Sequence, residues 1–213
     1  MNDSKTNHEI HFCNNDLTDE LFKIYKDSIY LAVDTEAMGL IHGRDRLCLI
    51  QISDERNITS CIKIEISNSS ASNIKKLFEN KKILKIFHYA RFDVAALKCN
   101  LNINTENIFC TKIASKLART YTNKHGLKDL IYELLGVELD KTSQSSDWGS
   151  EQSLSKEQIK YAANDVKYLI NAMHKLTVIL KREGRIELAQ KCFNCIPVHS
   201  ELDIHKFTSI FEH

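Results

Sequence analysis

The sequence lacks the features that mark fibrous, secreted and membrane-spanning chains. It has one proline in 213 residues, no long Gly/Ser tract, no internal repeat and no low-complexity segment. No run of about 18 apolar residues occurs, and the polar amino terminus carries no apolar segment of the kind found in secretory signals. These absences predict one soluble domain over residues 1–213, located in the cytoplasm and without a membrane partner.

An excess of charge of either sign is also lacking. The chain has 29 basic and 28 acidic side chains, a net charge of +1, whereas proteins that hold long nucleic acid by neutralising phosphates usually carry a strong basic excess. The basic residues are nevertheless uneven, because one stretch has six of them before its first acid. Within it, Arg119, Lys124 and His125 are candidate phosphate contacts; a solvated helix face is the alternative. The six are Lys112, Lys116, Arg119, Lys124, His125 and Lys128.

Cysteine pairs with metal-ligand spacing are scarce. The seven cysteines are an odd number, and most, such as Cys48, Cys61 and Cys99, fall inside apolar patterns typical of reduced core thiols. Cys192 and Cys195 have ligand spacing, but no second Cys/His pair follows at a suitable distance. We therefore expect reduced thiols and no structural zinc site.

Hydrophobic periodicity predicts an α/β domain with a mixed sheet flanked by helices. Strands are predicted near residues 10–13, 29–35, 47–53, 58–64 and 83–87. Helices are predicted near residues 17–26, 72–79, 94–98, 112–120, 127–135, 155–181 and 185–192. Asp16 is a candidate cap for the first helix, and Ser155 with Gln158 has the form of a capping box for the long one. Strands come first and helices later, as in a mixed sheet with helices on its faces.

Two carboxylates follow the second predicted strand. Residues 30–33 are apolar and rich in strand-forming types, and Asp34 and Glu36 come directly after them. Because side chains alternate along a strand, both carboxylates lie on one side. At this distance they repel each other unless a cation lies between them. Hard oxygen ligands suit Mg²⁺ or Mn²⁺.

Two further blocks supply the complement of these carboxylates. Tyr161 and Asp165 are four residues apart on the long predicted helix, so they share one stripe beside its apolar face. Asp93 follows an apolar strand and falls in the first turn of the next helix. Each block alone has an ordinary explanation, as a solvated strand end, an exposed helix face or an acid at a helix amino terminus. Their joint occurrence, each on the expected element, favours a metal site that cleaves phosphodiesters.

Asp-x-Glu, then Asp, then Tyr-x-x-x-Asp resembles the motif set of the DEDD exonucleases of the tyrosine subtype, the group that contains RNase D. Further segments look like the small enzymes called nano-RNase C, and the resemblance covers nearly the whole chain with no departure at the five catalytic positions. These segments are residues 45–53, 85–88, 109–117, 125–129 and 144–148, and less distinctively 200–203.

This resemblance implies an RNase H-like fold and a two-metal mechanism that releases nucleoside 5′-monophosphates from a 3′ end. By this resemblance, Asp34, Glu36 and Asp165 would hold one ion, Asp34 would also serve the second, and Asp93 would bind mainly through ordered water. Tyr161 is expected to orient the attacking water, since a phenol with a pKa near 10 is a poor base.

Substrate contacts are expected on both sides of these motifs. Met38 and Leu40 follow the Asp-x-Glu strand closely enough to wedge against terminal bases; the alternative is that they close the core. Trp148, with Asp147, is assigned no chemical step. The remaining candidates adjoin the same motifs and are Thr35, Gly39, His88, Tyr89 and Phe92.

The expected substrate is short RNA, especially dinucleotides, because the charge is balanced and the resemblance to nano-RNase C extends into the tail. A general 3′–5′ exonuclease on longer RNA or on DNA is the first alternative, and a non-catalytic nucleic-acid-binding module is the second. The resemblance also implies a homo-oligomer, an octamer, with residues 192–213 as a carboxy-terminal tail in its interface.

Overall fold

Six strands form one mixed sheet in the computed structural model, which describes residues 9–68, 70–139, 147–150, 154–207 and 209–211. The strand order is β1-β4-β3-β2-β5-β6. The strands are β1 (Glu9–Asn14), β2 (Tyr30–Ala37), β3 (Leu47–Asp54), β4 (Ile58–Lys63), β5 (Leu84–Phe87) and β6 (Ile108–Cys110).

The centre of the sheet is antiparallel and its flanks are parallel. Strand β3 pairs antiparallel with β2 and with β4, whereas β1 joins β4, β5 joins β2 and β6 joins β5 in parallel. Every residue of β3 is buried, as expected for a strand covered on both faces. The arrangement confirms the predicted α/β, RNase H-like fold with a mixed sheet flanked by helices.

Helices cover both faces of the sheet. None of those within the described ranges combines the length and the apolar character needed to span a bilayer. They are α1 (Asp19–Tyr25), α2 (Ser72–Phe78), α3 (Ala90–Leu101), α4 (Thr111–Ala118), α5 (Leu127–Leu135), α6 (Lys156–Lys167), α7 (Leu169–Arg182), α8 (Ile186–Asn194) and α9 (Ile196–Ile204).

The helix predicted over residues 155–181 is two helices, α6 and α7, that meet at Tyr168. The apolar face of α7, including Leu169 and Leu176, belongs to the main core. That of α6, with Ala162 and Ala163, covers a separate cluster over β3 and β4. One straight helix cannot turn its apolar stripe toward both clusters, so the break follows from tertiary packing.

The prediction that Asp16 caps the first helix is wrong. Thr18 caps α1, with its hydroxyl accepting a hydrogen bond from the backbone N–H of Leu21 at 3.3 Å. Asp16 instead accepts from the backbone N–H groups of Asn73 at 2.8 Å and Ile74 at 3.1 Å, at the start of α2. Both helices therefore have anchored amino termini, but Asp16 serves the one that is remote in sequence.

The carboxy-terminal tail packs partly on its own domain. Phe193 and Ile196 are buried in the main core, and the ring of Phe193 lies 4.6 Å from that of Phe109. For these two residues the predicted interface role is wrong. Phe207, Ile210 and Phe211 are exposed.

The predicted core cysteines differ in burial. Cys99, predicted as a core thiol, is exposed, whereas Cys48 and Cys61 are buried as predicted.

Candidate active site

Three carboxylates from two elements meet at one end of the sheet. Asp34 and Glu36 come from β2, and Asp165 comes from α6. One carboxylate oxygen from each lies within 4.8 Å of the other two. All three side chains are partly exposed, so an ion or a substrate can reach them. The structure thus brings together the first and third motifs predicted from the sequence.

Strand β2 separates its side chains by alternation and ends at a bulge. Asp34 faces Gln51 and Glu36 faces Leu49 across the β2–β3 pair, and the register shifts between Glu36 and Ala37. A bulge ends regular pairing and redirects side chains at a strand end. Thr35 is buried, and its hydroxyl donates to Asp93 Oδ1 at 2.7 Å. The one strand therefore presents two carboxylates and fixes a third.

Helix α3 brings Asp93 to the site from a strained start. Tyr89 precedes it with φ 73° and ψ 45°, in the left-handed region that bulky residues rarely adopt. Contacts with α9 hold this helix terminus. Ser200 Oγ donates to the carbonyl of Arg91 at 2.9 Å, and the guanidinium of Arg91 pairs with Asp203 at 2.5 and 2.6 Å. Asp93 itself is buried beside the three-carboxylate group.

Helix α6 places Tyr161 and Asp165 one turn apart. The predicted capping box is present: Ser155 Oγ accepts from the N–H of Gln158 at 3.1 Å, and the Gln158 side chain accepts from the N–H of Ser155 at 2.8 Å. The Tyr161 hydroxyl lies close enough to the Asp165 carboxyl to lower the pKa of that group, against the larger effect of burial. Trp148 is buried, with its ring 6.3 Å from that of Tyr161. The buried Trp148 ring thus packs next to the Tyr161 ring and supports its position.

The four carboxyl groups resist ionisation while no cation balances them. Burial, followed by the charges of Asp93, Asp165 and Glu36, raises the pKa of Asp34 well above its usual value. Burial and the charges of Asp165 and Asp93 raise the pKa of Glu36 to about 8. Burial raises the pKa of Asp93 to about 7 and that of Asp165 to about 7. Clustered, desolvated acids of this kind are the ligand set expected for divalent metals.

Buried polar atoms without hydrogen-bond partners surround the same group. Among the described residues, Gln51 Oε1 and Nε2, His88 Nε2 and Trp148 Nε1 have none. Such atoms are rare in native proteins, and bound water, ions or ligands commonly satisfy them. The donor set and these atoms together fit a site built for hydrated Mg²⁺ or Mn²⁺.

A cavity of about 420 Å³ opens over the carboxylates. Lys112 and Lys128 line it, although the sequence singled them out only as members of a basic stretch. Lys112 Nζ lies 4.3 Å from the centre of the Tyr89 ring. Burial, with the charge of Lys112, lowers the pKa of His88 to about 4, so this imidazole is neutral near pH 7. The lining residues are Asp34, Thr35, Glu36, His88, Lys112, Gly126, Leu127, Lys128, Leu139, Tyr161 and Asp165.

Arg119 is not available as a substrate contact, so that prediction is wrong. Its side chain is fully buried and forms an ion pair with Glu133. It also donates to Ser115 Oγ at 2.8 Å and to the carbonyl of Lys124 at 2.9 Å. Arg119 holds the segment between α4 and α5 from inside the protein. Lys124 and His125 do not line the carboxylate cavity, and their substrate contacts stay predictions.

The loop after β2 projects its apolar side chains outward. Met38 is 61% exposed and Leu40 is 81% exposed, so the alternative that they close the core is wrong. The close approach of Asp45 explains the glycine at position 39, because a Cβ there would lie 2.3 Å from Asp45 Oδ2. Phe92 contacts His42 of the same loop, with ring centres 5.1 Å apart. The loop is therefore fixed at its base and apolar at its tip.

The fold and the carboxylate site define the class of protein, a 3′-5′ exonuclease domain. The chain belongs to the 3′-5′ exonuclease family, whose model matches residues 10–181. Ribonuclease D of Sphingobium indicum is 34% identical over 159 residues, which cover 74% of this chain and 40% of that protein. The chain thus spans about two fifths of the length of this curated relative.

Two solved structures match nearly the whole chain. Brucella melitensis NrnC bound to pGG is 44% identical, with a TM-score of 0.90 and coverage of 96% of this chain and 98% of that one. The same protein with bound Mg²⁺ is 43% identical, with a TM-score of 0.90 and coverage of 96% and 99%. The resemblance to RNase D-like DEDD exonucleases and to nano-RNase C is thereby confirmed.

Proposed function

We propose that this protein is a metal-dependent 3′–5′ exoribonuclease that hydrolyses short RNA, especially dinucleotides, to nucleoside 5′-monophosphates. The observation that carries this proposal is the similarity over almost the full length of both chains to NrnC, whose structures hold pGG in one case and Mg²⁺ in another. The balanced charge of +1 supports a short substrate, because long nucleic acid is usually held by a basic excess.

The carboxylates have distinct proposed roles. Asp34, Glu36 and Asp165 converge closely enough to share one Mg²⁺ or Mn²⁺, and Asp34 would also be a ligand of a second ion. Asp93, buried and bonded to Thr35, acts through ordered water. When bound, the two ions supply an activated water and neutralise the charge that grows on the phosphate.

Tyr161 positions the attacking water rather than deprotonating it. Burial, with the charges of Asp165, Glu36 and Asp34, raises the pKa of its hydroxyl above the ordinary tyrosine value. The phenol therefore keeps its proton at neutral pH and can serve as a hydrogen-bond donor. The Trp148 ring, 6.3 Å away, packs beside the Tyr161 ring and supports its direction.

The proposed base-binding surface is a hollow of about 380 Å³ next to the cavity. Leu40 and Phe92 supply apolar surface there, and Tyr89 joins the hollow to the turn that carries His88. Apolar and aromatic contacts tolerate any base, as a dinucleotidase requires. Thr35, Met38, Gly39, Lys124 and His125 stay in the proposed substrate set. The hollow is lined by Leu40, Ile41, His42, Tyr89, Arg91, Phe92, Asp203 and Lys206.

The test is an equimolar series of 5′-labelled RNAs from two to seven nucleotides, offered with Mg²⁺ or Mn²⁺. The dinucleotide should disappear fastest and yield only mononucleotides. Comparable rates at every length would favour a general exonuclease on longer RNA or on DNA, which the similarity to ribonuclease D makes the second candidate. Binding without hydrolysis would indicate a non-catalytic module.

A cytoplasmic homo-oligomer, an octamer, completes the proposal. The exposed apolar side chains of Phe207, Ile210 and Phe211 support an interface in the tail. Deleting the whole tail would also remove Phe193 from the core. Phe207→Ser with Phe211→Ser is therefore the cleaner test. A lower mass in solution with unchanged circular dichroism is expected, and an unchanged mass contradicts the interface.

A further inference from the structure

Gln51 is a fully buried amide without a protein partner. Its side chain is 0% exposed, and neither Oε1 nor Nε2 hydrogen-bonds to any atom in the described part of the chain. Buried amides are nearly always paired, because burial removes the water that would otherwise satisfy them. An apolar side chain of similar size would avoid this cost. The position therefore indicates a partner that is absent from the metal-free arrangement.

The register of the sheet places this amide beside a metal-binding carboxylate. Gln51 lies directly opposite Asp34 in the β2–β3 pair and directly opposite Cys61 in the β3–β4 pair. Side chains of directly opposed residues leave the same face, with Cβ atoms about 4.5–5.5 Å apart. Asp34 and Gln51 therefore share the face on which Cys61 packs against α6.

The side chains of α6 and β4 that pack on this face do not hydrogen-bond to the amide. Ala162 and Ala163 of α6 present only methyl groups. The thiol of Cys61 is directed to the carbonyl of Ile159, 3.8 Å away. Asp34 is the side chain of β2 that lies directly opposite Gln51.

We propose that Gln51 is a positioning residue of the metal centre. In the metal-loaded site, Gln51 Nε2 would donate to an Asp34 carboxylate oxygen, directly or through one buried water, and so hold the direction of that carboxylate. This inference rests on the proposed metal-dependent activity. Groups that hydrogen-bond to ligating carboxylates orient them, and their loss typically weakens metal binding about 10- to 100-fold.

The test compares Gln51→Met with Leu49→Met, both without RNA. Methionine keeps the volume of glutamine but removes the amide. Leu49 is the matched control, because it is buried on the same face of β3, opposite Glu36, and has no polar atoms to lose. Mn²⁺ affinity is measured by electron paramagnetic resonance of the free ion, and Tm is measured without metal.

For Gln51→Met we expect the dissociation constant for Mn²⁺ to rise about 10- to 100-fold, with a metal-free Tm equal to or above that of the wild type. Leu49→Met should keep its Mn²⁺ affinity. Gln51→Leu is the second variant and should behave like Gln51→Met.

Mn²⁺ affinity within about twofold of wild type in the folded Gln51 variants would overturn the inference. Loss of a hydrogen bond to a metal-ligating carboxylate typically lowers metal affinity by about 10-fold or more. A lower metal-free Tm with unchanged affinity would assign Gln51 to packing. Neither result bears on the length preference, which the RNA series tests separately.

Discussion

The acidic wall of the active-site cavity and the basic segment of residues 112–128 treat their charges in opposite ways. On the acidic wall, Asp34, Glu36 and Asp165 face one another, and their pKa values are raised. In the basic segment, the buried guanidinium of Arg119 is paired with the partly exposed carboxylate of Glu133. Like charges that lie close together, as in the carboxylate cluster, indicate a site that binds a cation. Opposite charges that are paired, as in Arg119–Glu133, stabilise the fold.

Removing one carboxylate from the acidic wall should abolish most of the activity. Asp165→Asn is expected to lower the rate of dinucleotide hydrolysis by about three orders of magnitude or more, because a metal ligand is lost. The metal-free protein should be at least as stable as wild type, since one repelling carboxylate is gone. Rate assays and thermal unfolding check both points. Glu157→Gln, an exposed acid-to-amide change on the same helix, is the control and should stay active.

The raised pKa values also predict how stability depends on pH without metal. Folded Asp93 and Asp165 titrate near 7 and Glu36 near 8, so between about pH 4 and 8 the folded state binds more protons than the unfolded state. Stability should therefore fall across this range as pH rises, by on the order of a few kcal/mol. Saturating Mg²⁺ should remove most of this fall. Urea unfolding at several pH values, with and without Mg²⁺, measures it.

Buried Lys85 gives the opposite slope at higher pH. Burial lowers its pKa to about 7, so above pH 7 the folded state binds fewer protons than the unfolded state. Its contribution to stability rises until about pH 10.4. Lys85→Met should abolish this alkaline gain and leave the acidic slope intact. An unchanged alkaline slope in Lys85→Met would contradict the assignment.

Breaking the Arg119–Glu133 pair tests the architectural role of Arg119. Arg119→Met should destabilise the protein by about 1–3 kcal/mol, because Ser115 Oγ and the carbonyl of Lys124 lose the buried donor that holds the segment between α4 and α5. Exposed Lys124→Met should change stability by less than about 0.5 kcal/mol. Urea unfolding compares the two. Wild-type stability in Arg119→Met would contradict this architectural role.

Lys112 sharpens the contrast, because it lines the cavity instead of lying beneath it. Lys112→Met should lower kcat/KM for a dinucleotide about tenfold, the scale of one charge-assisted hydrogen bond. Stability should change by less than about 0.5 kcal/mol. Lys112→Arg, which retains the positive charge, should recover part of the activity. An unaffected kcat/KM in Lys112→Met would show that this cation does not contact the substrate.

Local periodicity accounts for the parts of the site that the sequence predicted. The two-residue alternation of a strand puts Asp34 and Glu36 on one side, and the turn of a helix aligns Tyr161 with Asp165. Periodicity did not predict elements that are very short or that depend on contacts distant in sequence. Strand β6 has three residues, too few to show a period, and α9 is recognisable mainly by its packing on α3 through Arg91 and Asp203.

The sequence by itself determined the chemistry of this protein, since the types and local spacing of its carboxylates and Tyr161 are written in short motifs. Only the tertiary structure decided which charged residues lie in the candidate active site and which are paired within the protein. It brought Asp165 to the β2 carboxylates, bonded Thr35 to Asp93, turned Arg119 inward and set Gln51 opposite Asp34. The reason is physical: spacing along a strand or helix is a local property, whereas burial and pairing depend on residues distant in sequence.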